Sequence, residues 1–104
     1  MSFLKQPAWR SDQYLAWVRQ QPCRGCGVFG MVHAHHNIAM RFGSSKASDL
    51  WAMPMCPDCH TLLHSDWPAW EAQHNTQDRH CLVTINEAAV AGVLELNKRK
   101  ALAA

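Results

Sequence analysis

The chain has little of what would mark it for a membrane, for secretion or for a broad nucleic-acid surface. In its 104 residues no stretch approaches the ~20 apolar residues that a membrane span needs. The first residues, Met1-Ser2-Phe3-Leu4-Lys5-Gln6-Pro7, lack the basic segment, apolar run and small-residue cleavage site of a secretory signal. A cytoplasmic protein with reduced thiols is therefore expected. Charge is sparse: Asp, Glu, Lys and Arg make up 17% of the chain and leave a formal +2. That balance does not announce a nucleic-acid partner, although a local patch can do what net charge does not. Internal repeats, linkers and low-complexity stretches are missing, so one domain over residues 1–104 is expected. At this size a hydrophobic core alone supplies on the order of a few kcal/mol, and a covalent or metal staple would help.

What the chain has instead is five cysteines and seven histidines. In a reducing compartment that composition suggests metal before disulfides.

The elements predicted around these residues form an α+β pattern. Ser11 caps a helix over about 11–21, with Tyr14, Leu15, Trp17 and Val18 on one face and Pro22 ending it. Cys23-Arg24-Gly25-Cys26-Gly27 makes a tight turn, and Val28 to His36 is extended, with a hairpin turn at Gly30. Asn37 to Ser48 is a loop, and Leu50 to Met55 is strand-like up to Pro54. Cys56 to His64 starts as a second turn and continues as a short helix. C-terminal helices fill about 67–101: one opens at Pro68 behind an Asp66 cap and runs through about Ala72 to Gln77. The other opens on the capping box Thr84-Ile85-Asn86-Glu87 and runs from Ala88 to about Lys100, with Lys98-Arg99-Lys100 in its last turn.

Two Cys-x-x-Cys pairs, Cys23/Cys26 and Cys56/Cys59, flank the extended segment and loop. Each turn can bring both sulfurs to ~2.3 Å from one zinc, and four thiolates close a structural site. Two separate redox motifs, or four buried cysteines, are the blander alternatives. A pair of pairs in a small cytosolic chain favours zinc.

The histidines make a second set. His60 and His64 lie four apart on one helix face, where a divalent ion can bridge them. His35 or His36 completes three protein ligands, leaving positions for water and substrate as in a catalytic site. Adjacent strand residues point to opposite sides, so one of the two would bind metal and the other would be free as a base. Taken singly, each histidine is more simply a polar surface residue, and the joint spacing carries the case.

At this point the residues resemble a family. Pro22-Cys-Arg-Gly-Cys-Gly, Ala34-His-His, Gly43, Lys46, Asp49-Leu50 and Pro54-Met-Cys-Pro-Asp-Cys-His-Thr-Leu-Leu-His64 are similar to the HNH (ββα-metal) endonucleases, most of all to their small phage and prophage members. The likeness runs from about Arg10 to His64. It implies a treble-clef core over about 22–66, stapled by four-cysteine zinc. It also implies His35 as metal ligand, His36 as general base, and His60 and His64 as the other ligands. The family's middle Asn is replaced: the nearest polar residue is Asp49, a candidate to orient the base or hold the loop.

The resemblance implies metal-dependent hydrolysis of DNA phosphodiesters, with 5′-phosphate and 3′-hydroxyl products and Mg, Mn, Ni or Zn as the catalytic ion. Arg41 and Lys46 are candidate phosphate contacts, with solvated loop charges as the plainer reading. His33 is a spare ligand or, more simply, an exposed strand residue. His74, His80 and Cys81 fall outside the motif, and Cys81 reads as a small buried hydrophobe. The five tryptophans suit packing more than base stacking. Two further classes compete: a zinc-stapled nucleic-acid-binding module without catalysis, and a treble-clef adaptor for another protein. The full set of histidines favours the nuclease. Four thiolates and one zinc lower the formal +2 to about 0, and a catalytic divalent ion restores about +2. Weak, strongly metal-dependent DNA binding is expected.

Overall fold

The computed structural model describes residues 8–38 and 47–94. Along the chain come α1 (Asp12–Arg19), β1 (His33–His36), a 3-10 turn (Asp49–Trp51), β2 (Ala52–Met55), α2 (Pro57–Ser65), α3 (Trp67–His74) and α4 (Gln77–Val90). Among the described residues the sheet has two antiparallel strands, in a register that runs from His33 opposite Met55 to His36 opposite Ala52.

Helix α1 forms where its sequence calls for it. The Ser11 hydroxyl accepts the Tyr14 N–H at 3.1 Å, taking up one of the donors that a helix start leaves unpaired. Tyr14 and Val18, one turn apart, are buried against Ala88 of α4, with Trp17, Ala34 and Leu94 around them. Burying a side chain such as Val18 contributes ~1.5–3 kcal/mol, which fixes α1 on one side of the sheet.

The other side holds the larger core. Met53, Met55, Leu63, Trp70 and Cys81 pack there with Cys23, Cys56 and Cys59, so the candidate zinc ligands are part of the core itself. Strand β2 is buried at all of its positions, which explains its unbroken apolar run. Pro54 is tolerated because each strand of a two-stranded sheet has a free edge. Its carbonyl accepts the Arg24 N–H at 2.8 Å, tying the first cysteine turn to β2.

Asp66 serves two helices. Its N–H closes α2 on the Leu62 carbonyl at 3.0 Å, and its carboxylate caps α3 by accepting the Ala69 N–H at 3.2 Å. Pro68 is the second residue of α3, close to the predicted start.

Several expectations change. The run Val28–His36 forms a strand only over His33–His36, and β1 pairs with β2, not with residues before Gly30. The Val28 carbonyl is taken up by the Cys23 N–H at 2.9 Å, closing the cysteine turn, and Val28, Phe29 and Met31 stay exposed. The strand expected from Leu50 starts at Ala52, because Ser48 caps a 3-10 turn through the Leu50 N–H at 3.3 Å.

The capping box at Thr84 starts no helix. Helix α4 begins seven residues earlier, behind Thr76, whose hydroxyl accepts the Arg79 N–H at 3.1 Å. Thr84 lies inside it, donating its hydroxyl to the His80 carbonyl at 2.8 Å. No Pro or Gly separates Gln77 from Thr84, so nothing stops the helix from running through. The preceding helix ends at His74, within the expected span, where Asn75 takes a positive φ of 82°. Helix α4 ends at Val90 with Gly92 at φ 78°, and Lys98, Arg99 and Lys100 lie outside the described residues. No helix among the described residues is long and apolar enough to cross a membrane.

Candidate metal centres

The fold brings the four paired cysteines together. Cys23 and Cys26 stand on the turn after α1, and Cys56 and Cys59 at the start of α2, with all four sulfurs within 4.8 Å of one another. The Cys26 and Cys56 sulfurs are 3.7 Å apart, against about 3.8 Å for the edge of a tetrahedron with ~2.3 Å zinc–sulfur arms. The Gly25 N–H points at the Cys23 sulfur at 3.3 Å and the Cys59 N–H at the Cys56 sulfur at 3.5 Å. Such contacts favour the thiolate form.

Gly25 is required by space: a Cβ there would lie 2.8 Å from the Cys59 sulfur. Burial opposes ionisation of Cys23, but the surrounding hydrogen bonds outweigh it and bring its pKa down to about 7. Burial and the neighbouring sulfurs push Cys59 well up. The first thiolate thus discourages the next, and a divalent cation relieves that repulsion. The donor set and spacing suit a structural ion such as zinc. Cys81 is separate and fully buried, its thiol pushed up to about 12 chiefly by burial, as suits a small core residue.

The second cluster joins β1 to α2. His60 and His64, one turn apart on α2, bring their Nε2 atoms to 3.0 Å. Two nitrogens at ~2.1 Å from one ion and at right angles are about 3.0 Å apart. The His35 ring stands edge-on to both, at centroid distances of 4.9 Å and 5.3 Å. One nitrogen from each of His35, His60 and His64 falls within 4.8 Å of the others. Exposure is graded across them: His35 is buried at 2%, His60 half-buried and His64 exposed. Burial lowers the pKa of His35 to about 4, with the neighbouring histidines adding to the effect and a bond to Gln77 opposing it. Burial also lowers that of His60. Both shifts favour the neutral ring, which keeps a lone pair for a cation.

His36 is on the opposite face of β1. Strand alternation sends His33 and His35 toward α2, and Ala34 and His36 toward α1. The His36 Nε2 lies 2.7 Å from the Asp49 carboxylate. Asp49, 3% exposed, also accepts the Ser11 N–H at 2.8 Å and the Arg10 guanidinium at 3.1 Å. Burial works against its charge, but these bonds, His36 first, hold its carboxyl below the usual range. A carboxylate only accepts, so His36 carries a proton on Nε2, and in the neutral ring the lone pair falls on Nδ1. Asp49 therefore meets His36, and through Ser11 and Arg10 it also ties the start of α1 to this face. His33 is exposed on the cluster face, its ring centroid 6.0 Å from that of His60. Arg41 and Lys46 lie outside the described residues.

Several residues beyond the motif support these centres. Gln77, fully buried at the start of α4, sets its Oε1 2.9 Å from the His35 Nε2. Buried Asn37 donates to Asp78 at 2.8 Å, joining the end of β1 to α4. His80 bonds the His74 carbonyl through Nε2 and takes the Arg24 Nε–H on Nδ1 at 3.1 Å. Arg24, inside the first cysteine turn, also reaches Glu87 at 3.7 Å. No local sequence pattern marks these residues, because each acts on a partner far along the chain.

A family model described as "Protein of unknown function (DUF968)" matches residues 1–92. The chain belongs to the DUF968 family. All the cysteines and histidines of both clusters fall within that match. The chain is also 36% identical over 98 residues to "Uncharacterized protein YdfU" of Escherichia coli (strain K12), an alignment covering 89% of this chain and 28% of that protein. It thus spans little more than a quarter of that relative's length. No solved structure matches.

Proposed function

We propose that this DUF968 chain is a metal-dependent endonuclease of the HNH (ββα-metal, treble-clef) kind, hydrolysing phosphodiester bonds in DNA. We place it in the cytoplasm, with a phage or prophage origin. The observation that carries the reading is the histidine cluster. A strand and a helix converge three nitrogens on one point, graded from buried to exposed, beside a separate all-cysteine cluster. Neutral ligands leave a bound divalent ion its full charge, facing solvent, where an anionic phosphate can approach.

In this reading His35, His60 and His64 hold Mg, Mn, Ni or Zn, and Cys23, Cys26, Cys56 and Cys59 hold zinc. The divalent ion, when bound, stabilises negative charge on the phosphate and on the leaving oxygen. His36 accepts a proton from water on Nδ1, the free nitrogen of its ring. Asp49 keeps that tautomer and stabilises the imidazolium that forms. The new P–O bond forms as the bond to the 3′ oxygen breaks, leaving 5′-phosphate and, after protonation, 3′-hydroxyl. Arg41 and Lys46 contact flanking phosphates.

The position of His36 across the strand from the cluster favours a second reading, a zinc-stapled nucleic-acid-binding module without catalysis. Plasmid nicking separates the two. Protein supplied with magnesium or manganese is expected to nick, and His36→Ala to abolish nicking with bound zinc and fold intact. Nicking that survives in this variant removes the assigned base. Metal-dependent DNA binding without cleavage, across several divalent metals and DNA forms, establishes the module instead.

A further inference from the structure

The C-terminal helix reaches the histidine cluster at one point, through Gln77. This side chain is fully buried, and its Oε1 has two neighbours: the Ile38 backbone N–H at 3.1 Å and the His35 Nε2 at 2.9 Å. A backbone N–H can only donate, so the atom facing it must be the amide oxygen, which settles the orientation of the amide. The same oxygen then faces His35, and the His35 Nε2 must be the donor. That leaves Nδ1 as the nitrogen of His35 with a lone pair.

The amide nitrogen of Gln77 is buried with no hydrogen-bond partner among the described residues. An unpaired buried donor works against stability, so the side chain is poorly explained as packing. Its backbone is held independently, the Gln77 N–H donating to Glu71 at 2.7 Å. Residues that accept the outer N–H of a metal-binding histidine fix its tautomer and its orientation and raise its basicity.

We propose that Gln77 is the positioning residue of the histidine centre, locking His35 with its proton on Nε2 so that it takes a divalent cation through Nδ1. This rests on the reading of His35, His60 and His64 as a metal centre and is independent of catalysis.

The test is long-range proton–nitrogen NMR of the histidine rings, with the cysteine site filled by zinc and more zinc then titrated in. Expected for the unaltered chain is a single His35 tautomer protonated at Nε2, with the added zinc bound at Nδ1. Coordination through the His35 Nε2, or a metal-free ring protonated at Nδ1, overturns the proposal and leaves the metal centre standing. If no second zinc binds the unaltered chain, the metal centre itself falls, and the proposal with it.

Gln77→Leu removes the acceptor and should weaken the second zinc by ~10–100-fold, with cysteine-bound zinc and helical circular dichroism unchanged. Gln77→Glu presents another acceptor and should restore affinity and tautomer together. A folded Gln77→Leu protein of unaltered affinity refutes the proposal. Should Gln77→Leu not fold, the nitrogen bound in the unaltered chain decides.

Discussion

The two clusters stand on the same short helix and differ in nearly every physical respect. The cysteine cluster is drawn from two turns, has three of its four members buried, and sits among Met53, Met55 and Leu63 of the main core. Filled by zinc, it is closed and carries about −2. The histidine cluster is drawn from β1 and the exposed side of α2 and opens outward from His35 to His64. A divalent ion there keeps about +2. Spacing along the chain makes both clusters; burial separates one that is part of the core from one that opens to solvent.

The sharpest way to break this contrast is to remove a core sulfur. Cys59→Ala is expected to abolish cooperative unfolding and lose zinc, because a structural ion contributes on the order of 10 kcal/mol in small zinc domains. Circular dichroism and zinc stoichiometry check it, and a folded variant would make the cysteine cluster dispensable. Next in size, His64→Ala should keep the fold and the cysteine-bound zinc. Calorimetric titration should show the second ion weakened by more than the ~100-fold upper range for losing an outer partner.

Asp49→Asn sharpens the contrast at the other face of β1. Its amide cannot hold the His36 proton as a carboxylate does, so nicking should fall by ~100-fold or more while both ions stay bound.

The smallest effect is on pH dependence. Burial, chiefly, lowers the pKa of His80, whose Nδ1 faces Arg24. In the fold His80 gains its proton at lower pH than the ordinary 6.5, so between the two values the unfolded chain binds more protons. Its contribution is complete above about pH 6.5 and is lost as pH falls below it. Urea midpoints should therefore drop between pH 7.5 and 5.5, and by less in His80→Asn.

Much of this was legible in the sequence, where cause and effect lie close together. Ser11 and the spacing of Tyr14 and Val18 define α1. Cys56, Pro57 and the four-residue interval between His60 and His64 define α2 and its histidine-bearing side. Thr84 misled because a capping box is a local pattern, and an uninterrupted helix overrode it. Gln77 left no trace, since its partner His35 is 42 residues away and a glutamine behind a threonine cap looks like any helix start. A bond from Asp49 to His36 is one of two roles legible in the sequence, and strand alternation already puts His35 and His36 on opposite sides; which of the two faces α2 is set by register, which one residue of slip would reverse.

The turn that holds Cys23 and Cys26 also carries Arg24, and Arg24 holds α4 through His80 and Glu87. Helix α4 in turn places Gln77 against His35. On the proposed reading the two sites are mechanically joined: an ion that fixes the cysteine turn also steadies, through Arg24 and α4, the glutamine that faces His35. Chelating the cysteine-bound ion is therefore expected to weaken the histidine cluster's hold on a cation as well as the fold.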